Sequence, residues 1–247
     1  MDTPFLKHFF SIILLWITPV VFLIGIGFFF FGFRLTKTLH ILSPGTLTIV
    51  IPHADTNIYL DKKFIGKSSK EGDTLTRTHI APGPHTLGVE KQGYWPWYKE
   101  IVIKDKETLT LHPFTVNKNP SGSIITEADP EYFKIDAMIA EHTKADRVNN
   151  TSTNQTLIKD GSRLYEHDTN TSPIFEAKNP IRSIAYFPDY TDVALVAVDT
   201  GIYAIELTRE GTPNFQPLYK GLSPTFVTTP NHTLLIKDLG TLMELSW

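Results

Sequence analysis

Five consecutive residues, Tyr94-Trp95-Pro96-Trp97-Tyr98, carry the side chains best suited to binding chemistry. Tyr and Trp combine a large apolar ring with a polar tip, so exposed rings of these types stack on sugars or anchor a protein partner. The alternative is core packing, because successive strand residues point to opposite faces and large aromatic rings are mostly buried. We therefore name Tyr94, Trp95, Trp97 and Tyr98 as candidate binding residues and keep core packing as the competing interpretation.

Three aspartates recur at a fixed interval of 39 residues, at Asp160, Asp199 and Asp238. Carboxylates repeated at equivalent turns are suitable calcium ligands. However, Asp followed by Gly is ordinary hairpin-turn chemistry, and the spacing places each aspartate in a different structural unit. We interpret the three aspartates as structural turn residues and predict no metal site.

No group of residues in the sequence forms a recognisable catalytic pattern. The nine histidines are scattered, and the sequence lacks His-Glu-x-x-His, Gly-x-Ser-x-Gly, a phosphate loop and a dinucleotide fingerprint. Cysteine is absent, which excludes disulfides and thiolate chemistry. We therefore predict a protein that is not an enzyme, with no catalytic residue and no cofactor.

The N-terminal part of the chain contains 25 residues, Phe9 to Phe33, without a charged side chain. As a helix this run would be about 37 Å long, whereas the apolar core of a bilayer is about 30 Å thick. We predict a short stub at 1–8, a transmembrane helix at 9–33 that acts as an uncleaved signal-anchor, and a juxtamembrane linker at 34–44. A cleaved signal peptide is the alternative, and basic residues on both flanks leave the orientation open.

Residues 45–116 show the alternation of apolar and polar residues that is typical of half-buried strands. Pro82 and Gly83 mark a tight reversal, and Gly93 marks a second turn before the aromatic segment. Glycine suits both turns because it accepts positive φ. Five to seven short strands in about 70 residues predict a small β-sandwich.

The same segment resembles the PEGA domain, a small all-β module of prokaryotic surface proteins that often follows a membrane anchor. The residues that carry the resemblance are Gly45-Thr46-Leu47, Pro52, Ala54, Ile58-Tyr59-Leu60-Asp61, Gly66-Lys67, Ile80 to His85, Val89-Glu90-Lys91 and Gly93-Tyr94. The chain departs from the family at turns, where it lacks the usual Gly before Ala54 and after Asp61. The resemblance implies a non-enzymatic envelope or interaction module and supplies no catalytic residues.

The rest of the chain divides into a polar region at 117–155, either a linker or a partial β/α region, and a repeat region at 156–247. Each repeat predicts a hairpin around one of the three aspartates, and the period is close to that of a propeller blade. The repeat region resembles WD40-like propeller repeats, with Ile184 to Asp189 as its closest segment. It supplies only two to three blades, so an open stack, an additional sheet from 118–155 or a second chain are the alternatives. Self-association through uncovered blade edges is a further hypothesis.

Together these features predict a mainly β, prokaryotic protein with a transmembrane helix, a small β-sandwich and propeller-like antiparallel repeats. The formal net charge of -3 argues against nucleic-acid binding. We expect a membrane-anchored, extracytoplasmic binding or scaffold protein of the cell envelope that contacts a protein partner or a cell-wall glycan. The alternatives are a membrane-bound hydrolase or sensor with a site in the repeat loops, and a scaffold that faces the cytoplasm.

Overall fold

The protein is mainly β, with two helices and 21 short strands in the described part of a computed structural model. The structure describes residues 4–35, 40–150, 153–167, 171–208, 212–231 and 233–246, and for residues 4–14 it describes the backbone alone. The mainly β class predicted from the sequence is confirmed.

The first element is helix α1 (Pro4–Phe30), followed by a hairpin of strands β1 (Arg34–Leu35) and β2 (Ile41–Leu42) within the predicted juxtamembrane linker. The large apolar side chains described between Leu15 and Phe31 are exposed. Among the residues that the structure describes, no helix has both the length and the apolarity that crossing a membrane requires. The side chains of 9–14, the first part of the predicted span, lie outside that description.

Seven strands form the sandwich predicted for residues 45–116. They are β3 (Gly45–Ile51), β4 (Asn57–Leu60), β5 (Lys63–Lys67), β6 (Asp73–Ile80), β7 (Gly83–Glu90), β8 (Trp97–Ile103) and β9 (Thr108–Leu111). One sheet has the order β6-β3-β9, with β3 and β9 parallel, and the other has the order β5-β4-β7-β8. Alternate residues of β3 are buried, so the two sheets share one apolar core.

The region at 117–155 contains strand β10 (Ser121–Ile125), helix α2 (Tyr132–Lys144) and strand β11 (Arg147–Asn149). It is therefore a β/α region, the second of the two interpretations. Ile135 and Ile139 of α2 pack against buried leucines of the repeat region. Because β11 pairs with the first strand after residue 155, the predicted boundary between 155 and 156 divides a single sheet.

Three four-stranded antiparallel sheets contain the remaining strands. These are β12 (Thr156–Asp160), β13 (Arg163–Glu166), β14 (Phe175–Glu176), β15 (Ser183–Tyr186), β16 (Val193–Val198), β17 (Gly201–Glu206), β18 (Phe215–Lys220), β19 (Thr225–Thr228), β20 (Thr233–Asp238) and β21 (Thr241–Ser246). The sheet orders are β11-β12-β13-β14, β15-β16-β17-β18 and β10-β21-β20-β19. The three predicted hairpins are present as β12–β13, β16–β17 and β20–β21. No closed barrel or propeller is seen in the described chain.

The sandwich shares one apolar core with two of the three repeat sheets, whereas Leu157 and Leu164 of the sheet β11-β12-β13-β14 belong to a separate buried cluster. Trp97 and Phe114 belong to the same buried cluster as Phe187, Leu218 and Phe226. Burial of this much apolar surface between two modules is the main stabilising term in their association. The two modules therefore pack directly against each other and are not separated by a linker.

Gln216 of β18 forms the polar centre of this contact, and its side chain is almost fully buried. Its Oε1 accepts a hydrogen bond from the Val116 amide at 2.8 Å, and its Nε2 donates to the Phe114 carbonyl at 3.2 Å. Nε2 also lies 3.4 Å from the Pro96 carbonyl. One glutamine thus satisfies backbone groups of the sandwich that would otherwise be buried without partners.

A buried ion pair lies at the same contact. Lys99 Nζ is 2.7 Å from Glu206 Oε1, and the two side chains are 13% and 8% exposed. The second carboxylate oxygen, Oε2, accepts hydrogen bonds from the backbone and side-chain nitrogens of Asn214, whose Oδ1 in turn accepts from the Tyr98 amide. Removal of either side chain from a buried ion pair leaves the other charge buried without a partner, which strongly destabilises the fold.

We expect the Gln216→Leu variant to lower the free energy of unfolding by about 1–3 kcal/mol, because it leaves the Val116 amide and the Phe114 carbonyl buried without a partner. Urea unfolding of the full chain measures this. Gln92→Leu, at an exposed glutamine of the sandwich, is the matched control and should change stability by less than about 0.5 kcal/mol. Equal stability of both variants would show that Gln216 does not hold the contact.

Candidate functional site

The four candidate aromatic residues point in different directions. Tyr94 and Trp95 are partly buried, Trp97 is buried, and Tyr98 is exposed. The segment therefore does not form one continuous binding surface, and each ring has its own surroundings.

Trp97 is a core residue, and its prediction as a binding residue is wrong. It is 1% exposed and lies opposite Val89 in the β7–β8 ladder, with its ring in the core between the modules. Strand alternation turns this ring inward. A ligand at the surface therefore does not reach it.

Tyr98 lies on the outer face of the sandwich, away from the clefts described below. Its hydroxyl donates to Glu90, and this carboxylate, together with partial desolvation, raises the pKa of Tyr98 to about 12. The ring covers Gly88, where an added Cβ would lie 2.7 Å from Tyr98 Cε1. Tyr98 thus packs on a glycine that leaves room for it.

Tyr94 lines a cleft of about 580 Å³ between the sandwich and the 187–190 loop of the repeat region. We call it the His53 cleft. Its chemically active side chains are His53, Glu71, Tyr94, His112, Asp189 and Tyr190, with Pro52, Pro113 and Pro188 among the other lining residues. Aromatic rings with a few polar groups in a cleft of this size are typical of ligand sites.

The sandwich side of the cleft is built around His53, which follows β3. Its ring lies 4.6 Å from the Tyr94 ring, centroid to centroid, and Lys91 Nζ is 4.9 Å from the Tyr94 centroid. Burial, assisted by the charge of Lys91, lowers the pKa of His53. The imidazole is therefore neutral at pH 7 and offers both a hydrogen-bond donor and an acceptor.

The other side of the cleft is the 187–190 loop after β15. Tyr190 is held by the ring of Phe187 at 5.4 Å and by that of Phe114 at 6.2 Å, and its amide donates to the Phe187 carbonyl. Burial raises the pKa of Tyr190, and nearby carboxylates add to the effect. Asp189 adopts φ of +65°, a conformation that Asp tolerates at turns.

One buried polar atom in the wall of the cleft has no partner in the described part of the protein. Thr115 is 5% exposed, and its Oγ1 makes no hydrogen bond there. Buried hydroxyls are normally satisfied. Thr115 thus supplies an available donor and acceptor in the lining.

The cleft has the chemistry of a binding site. Rings, a neutral imidazole, a hydroxyl and two carboxylates surround it, and these groups contact apolar faces and accept hydrogen bonds from hydroxyls. In the described part of the chain, no group of three or more His, Cys, Asp or Glu side chains could hold a metal ion.

The turn residues occupy the places expected of them, but the three aspartates differ in their contacts. Asp160 lies opposite Arg163 at the end of the β12–β13 hairpin. Asp199 accepts hydrogen bonds from Asn179 and Arg182, and Asp238 accepts from the amides of 222 and 223. Pro82 lies between β6 and β7, while Gly83 and Gly93 have φ of +133° and +84°.

Sequence analysis identified Tyr94 but missed the other residues of the His53 cleft. His53 and Glu71 lie more than a hundred residues away from Asp189 and Tyr190. The one available signal was the Ile184 to Asp189 segment, noted only for its likeness to repeat proteins. Packing of the two modules, which no local pattern encodes, brings these residues together.

Comparison with known proteins supports the first of the two resemblances. The model of the PEGA domain family matches residues 45–119, three residues beyond the segment identified from the sequence. A search of curated proteins found none that matches the chain. The family match includes Tyr94, Trp95 and His53, and it stops before the repeat sheets.

We expect His53→Gln to reduce the loss of stability on acidification between pH 7 and pH 5. A folded-state pKa below the unfolded value of about 6.5 contributes stability that is present above pH 6.5 and lost as the pH falls through the folded pKa. Urea midpoints measured against pH test this. His142, whose pKa is also lowered by burial, should account for part of the loss of stability on acidification that remains in this variant.

The control for this measurement is Gln92→Leu, because Gln92 is an exposed residue of the sandwich and does not titrate. That variant should keep the wild-type dependence on pH. A His53→Gln profile that coincides with the wild type would contradict the assignment of His53 as a partly buried histidine with a lowered pKa.

Proposed function

We propose that this chain is a membrane-attached, extracytoplasmic binding protein of the cell envelope, not an enzyme, and that its His53 cleft holds a segment of an envelope glycan. The observation that carries the proposal is the cleft itself, in which Tyr94 and Tyr190 lie among neutral and acidic hydrogen-bonding groups.

The chemistry of the lining favours a neutral glycan over an anionic one. Sugar rings present apolar C–H faces to aromatic rings and hydroxyl donors to carboxylates and imidazole. Glu71 and Asp189 both lie in the lining and would repel an anionic ligand. A protein partner is the competing occupant, and the experiment below separates the two.

The shared core favours a preformed site. The two sides of the cleft belong to different modules, yet Gln216 and the Lys99–Glu206 pair fix them to each other. A site that is ordered before binding loses little entropy when the ligand arrives. This rigidity suits a binding role without a closing lid.

The proposed membrane attachment rests on α1. Thirteen large apolar side chains between Leu15 and Phe31 are at least 37% exposed, and an apolar surface of this extent normally marks contact with a membrane or another protein. A PEGA-like module next to such a helix fits the envelope location implied by the family resemblance.

The propeller-like interpretation of the repeats also remains a proposal. Its support is the presence of three antiparallel sheets with four strands each. Self-association through sheet edges has less support, because the edge strands β11 and β14 contain only three and two residues and the longer edge strand β18 contains Pro217, which removes a backbone donor. Short edges of this kind limit pairing between chains.

We expect Tyr94→Ala to weaken binding of neutral glycans, such as N-acetylglucosamine oligomers, by about 5- to 30-fold, since loss of a central aromatic contact costs about 1–2 kcal/mol. Isothermal titration with the full chain measures this. Tyr98→Ala, four residues away on the outer face, is the matched control and should bind like the wild type.

Four results would contradict the proposal. Absence of binding across a panel of neutral envelope glycans would remove it, and so would equal weakening by both tyrosine variants. Binding of peptides but not glycans, lost in Tyr94→Ala, would assign the cleft to a protein partner. Hydrolysis of a bound glycan by the wild type would favour the alternative of a membrane-bound hydrolase.

We expect both modules to react with a membrane-impermeant maleimide on intact cells when cysteine is introduced at Lys70 or Lys178. Both positions are exposed, and the chain has no cysteine of its own, so the label reports one site at a time. The measurement is the labelled fraction before and after lysis. Labelling only after lysis would contradict the extracytoplasmic location and favour a scaffold that faces the cytoplasm.

A further inference from the structure

A second groove, of about 490 Å³, lies on the other side of the aromatic segment. We call it the Trp95 groove. It is lined by Trp95, Lys118, Asn119, Pro217, Tyr219 and Lys220, among other residues. It shares no lining residue with the His53 cleft, so neighbouring residues of one segment, Tyr94 and Trp95, contribute to two different sites.

The sandwich part of the groove is held in place by backbone hydrogen bonds. The Trp95 amide donates to the Val116 carbonyl at 2.8 Å, and the Lys118 amide donates to the Gly93 carbonyl at 2.9 Å. Lys118 Nζ lies 5.3 Å from the centroid of the Trp95 ring. This cation–π contact holds the ammonium group at the groove.

Strand β18 supplies the second lysine. Lys220 is exposed at the end of this strand, next to the partly buried ring of Tyr219. The Tyr219 hydroxyl donates to Asp238 Oδ2 at 3.0 Å, and Asp238 also accepts the amides of Leu222 and Ser223. The Asp238 carboxylate is therefore engaged with these three donors.

The groove carries positive charge without an acidic counterpart. None of the described residues that line it is acidic. Within the described part of the chain, neither Lys118 nor Lys220 forms an ion pair. Its charge is opposite to that of the His53 cleft, where Glu71 and Asp189 are present.

We propose that the Trp95 groove binds an anionic glycan, with Lys118 and Lys220 contacting the carboxylate groups of uronic acid residues. Lysine binds an anionic oxygen as a point charge, and the rings of Trp95 and Tyr219 with the Asn119 amide suit the sugar itself. The site goes beyond the neutral-glycan function of the His53 cleft and does not depend on it.

An acidic peptide is a poorer fit to this groove. A peptide that binds in extended form commonly adds a strand to a free sheet edge, and β18 is the edge strand of its sheet. However, Pro217 lies within β18 and removes a backbone donor from that edge. The groove thus offers side chains rather than a free strand.

The experiment is isothermal titration of the full chain with tetragalacturonate and with its methyl ester, which has the same sugars without the charge. We expect binding of the acid only, with affinity that falls as salt is raised. Lys118→Gln and Lys220→Gln should each weaken binding by up to about fivefold, as for exposed ion pairs, and the double variant should weaken it further. Lys178→Gln, at an exposed lysine outside the groove, should bind like the wild type.

Several outcomes would overturn the proposal. These are no binding of tetragalacturonate by the wild type, equal binding of the acid and the ester, and wild-type affinity in the double variant. Binding of an acidic peptide but not of tetragalacturonate would assign the groove to a protein ligand. Tyr94→Ala serves as the independent reference, because it alters the His53 cleft and should leave tetragalacturonate binding unchanged.

Discussion

The contact of the Gln216 amide with the sandwich backbone is the constraint on which the rest of the structure depends. Gln216 supplies partners for Val116 and Phe114 at the point where the sandwich meets β18. Without such a partner, buried backbone groups would oppose the burial of the shared apolar core around Trp97 and Phe226. The packing of one module on the other follows, and both clefts border this contact.

The different positions of Tyr94, Trp95 and Trp97 follow from the same contact. Trp97 begins β8 and is buried by the pleat, whereas Tyr94 and Trp95 precede that strand. Tyr94 lines one cleft and Trp95 lines the other. The lining of the His53 cleft includes Glu71 and Asp189, whereas that of the Trp95 groove includes Lys118 and Lys220. This difference in charge is the reason that we propose a neutral sugar for the first and an anionic sugar for the second.

Much of the fold could be predicted because it is encoded locally. The alternation in Gly45–Ile51 predicts a strand with one buried face, and the hairpins around Asp160, Asp199 and Asp238 follow from turn chemistry at a constant spacing. Little of the candidate site could be predicted in this way. Its histidines come from the sandwich and Tyr190 comes from a loop of the repeats. No pattern within a single segment predicts that these residues lie close together.

The sequence by itself determined the mainly β class, the PEGA-like sandwich and the positions of the hairpins, because strand period and turn residues act over a few neighbouring positions. For each aromatic ring of the 94–98 segment, the sequence left two interpretations open, exposure as a binding residue or burial in the core. Tertiary packing made that decision, burying Trp97, leaving Tyr98 outside and joining β10 to β21 across more than a hundred residues. These outcomes depend on which surfaces exclude water together, a property of the assembled chain and not of any single segment.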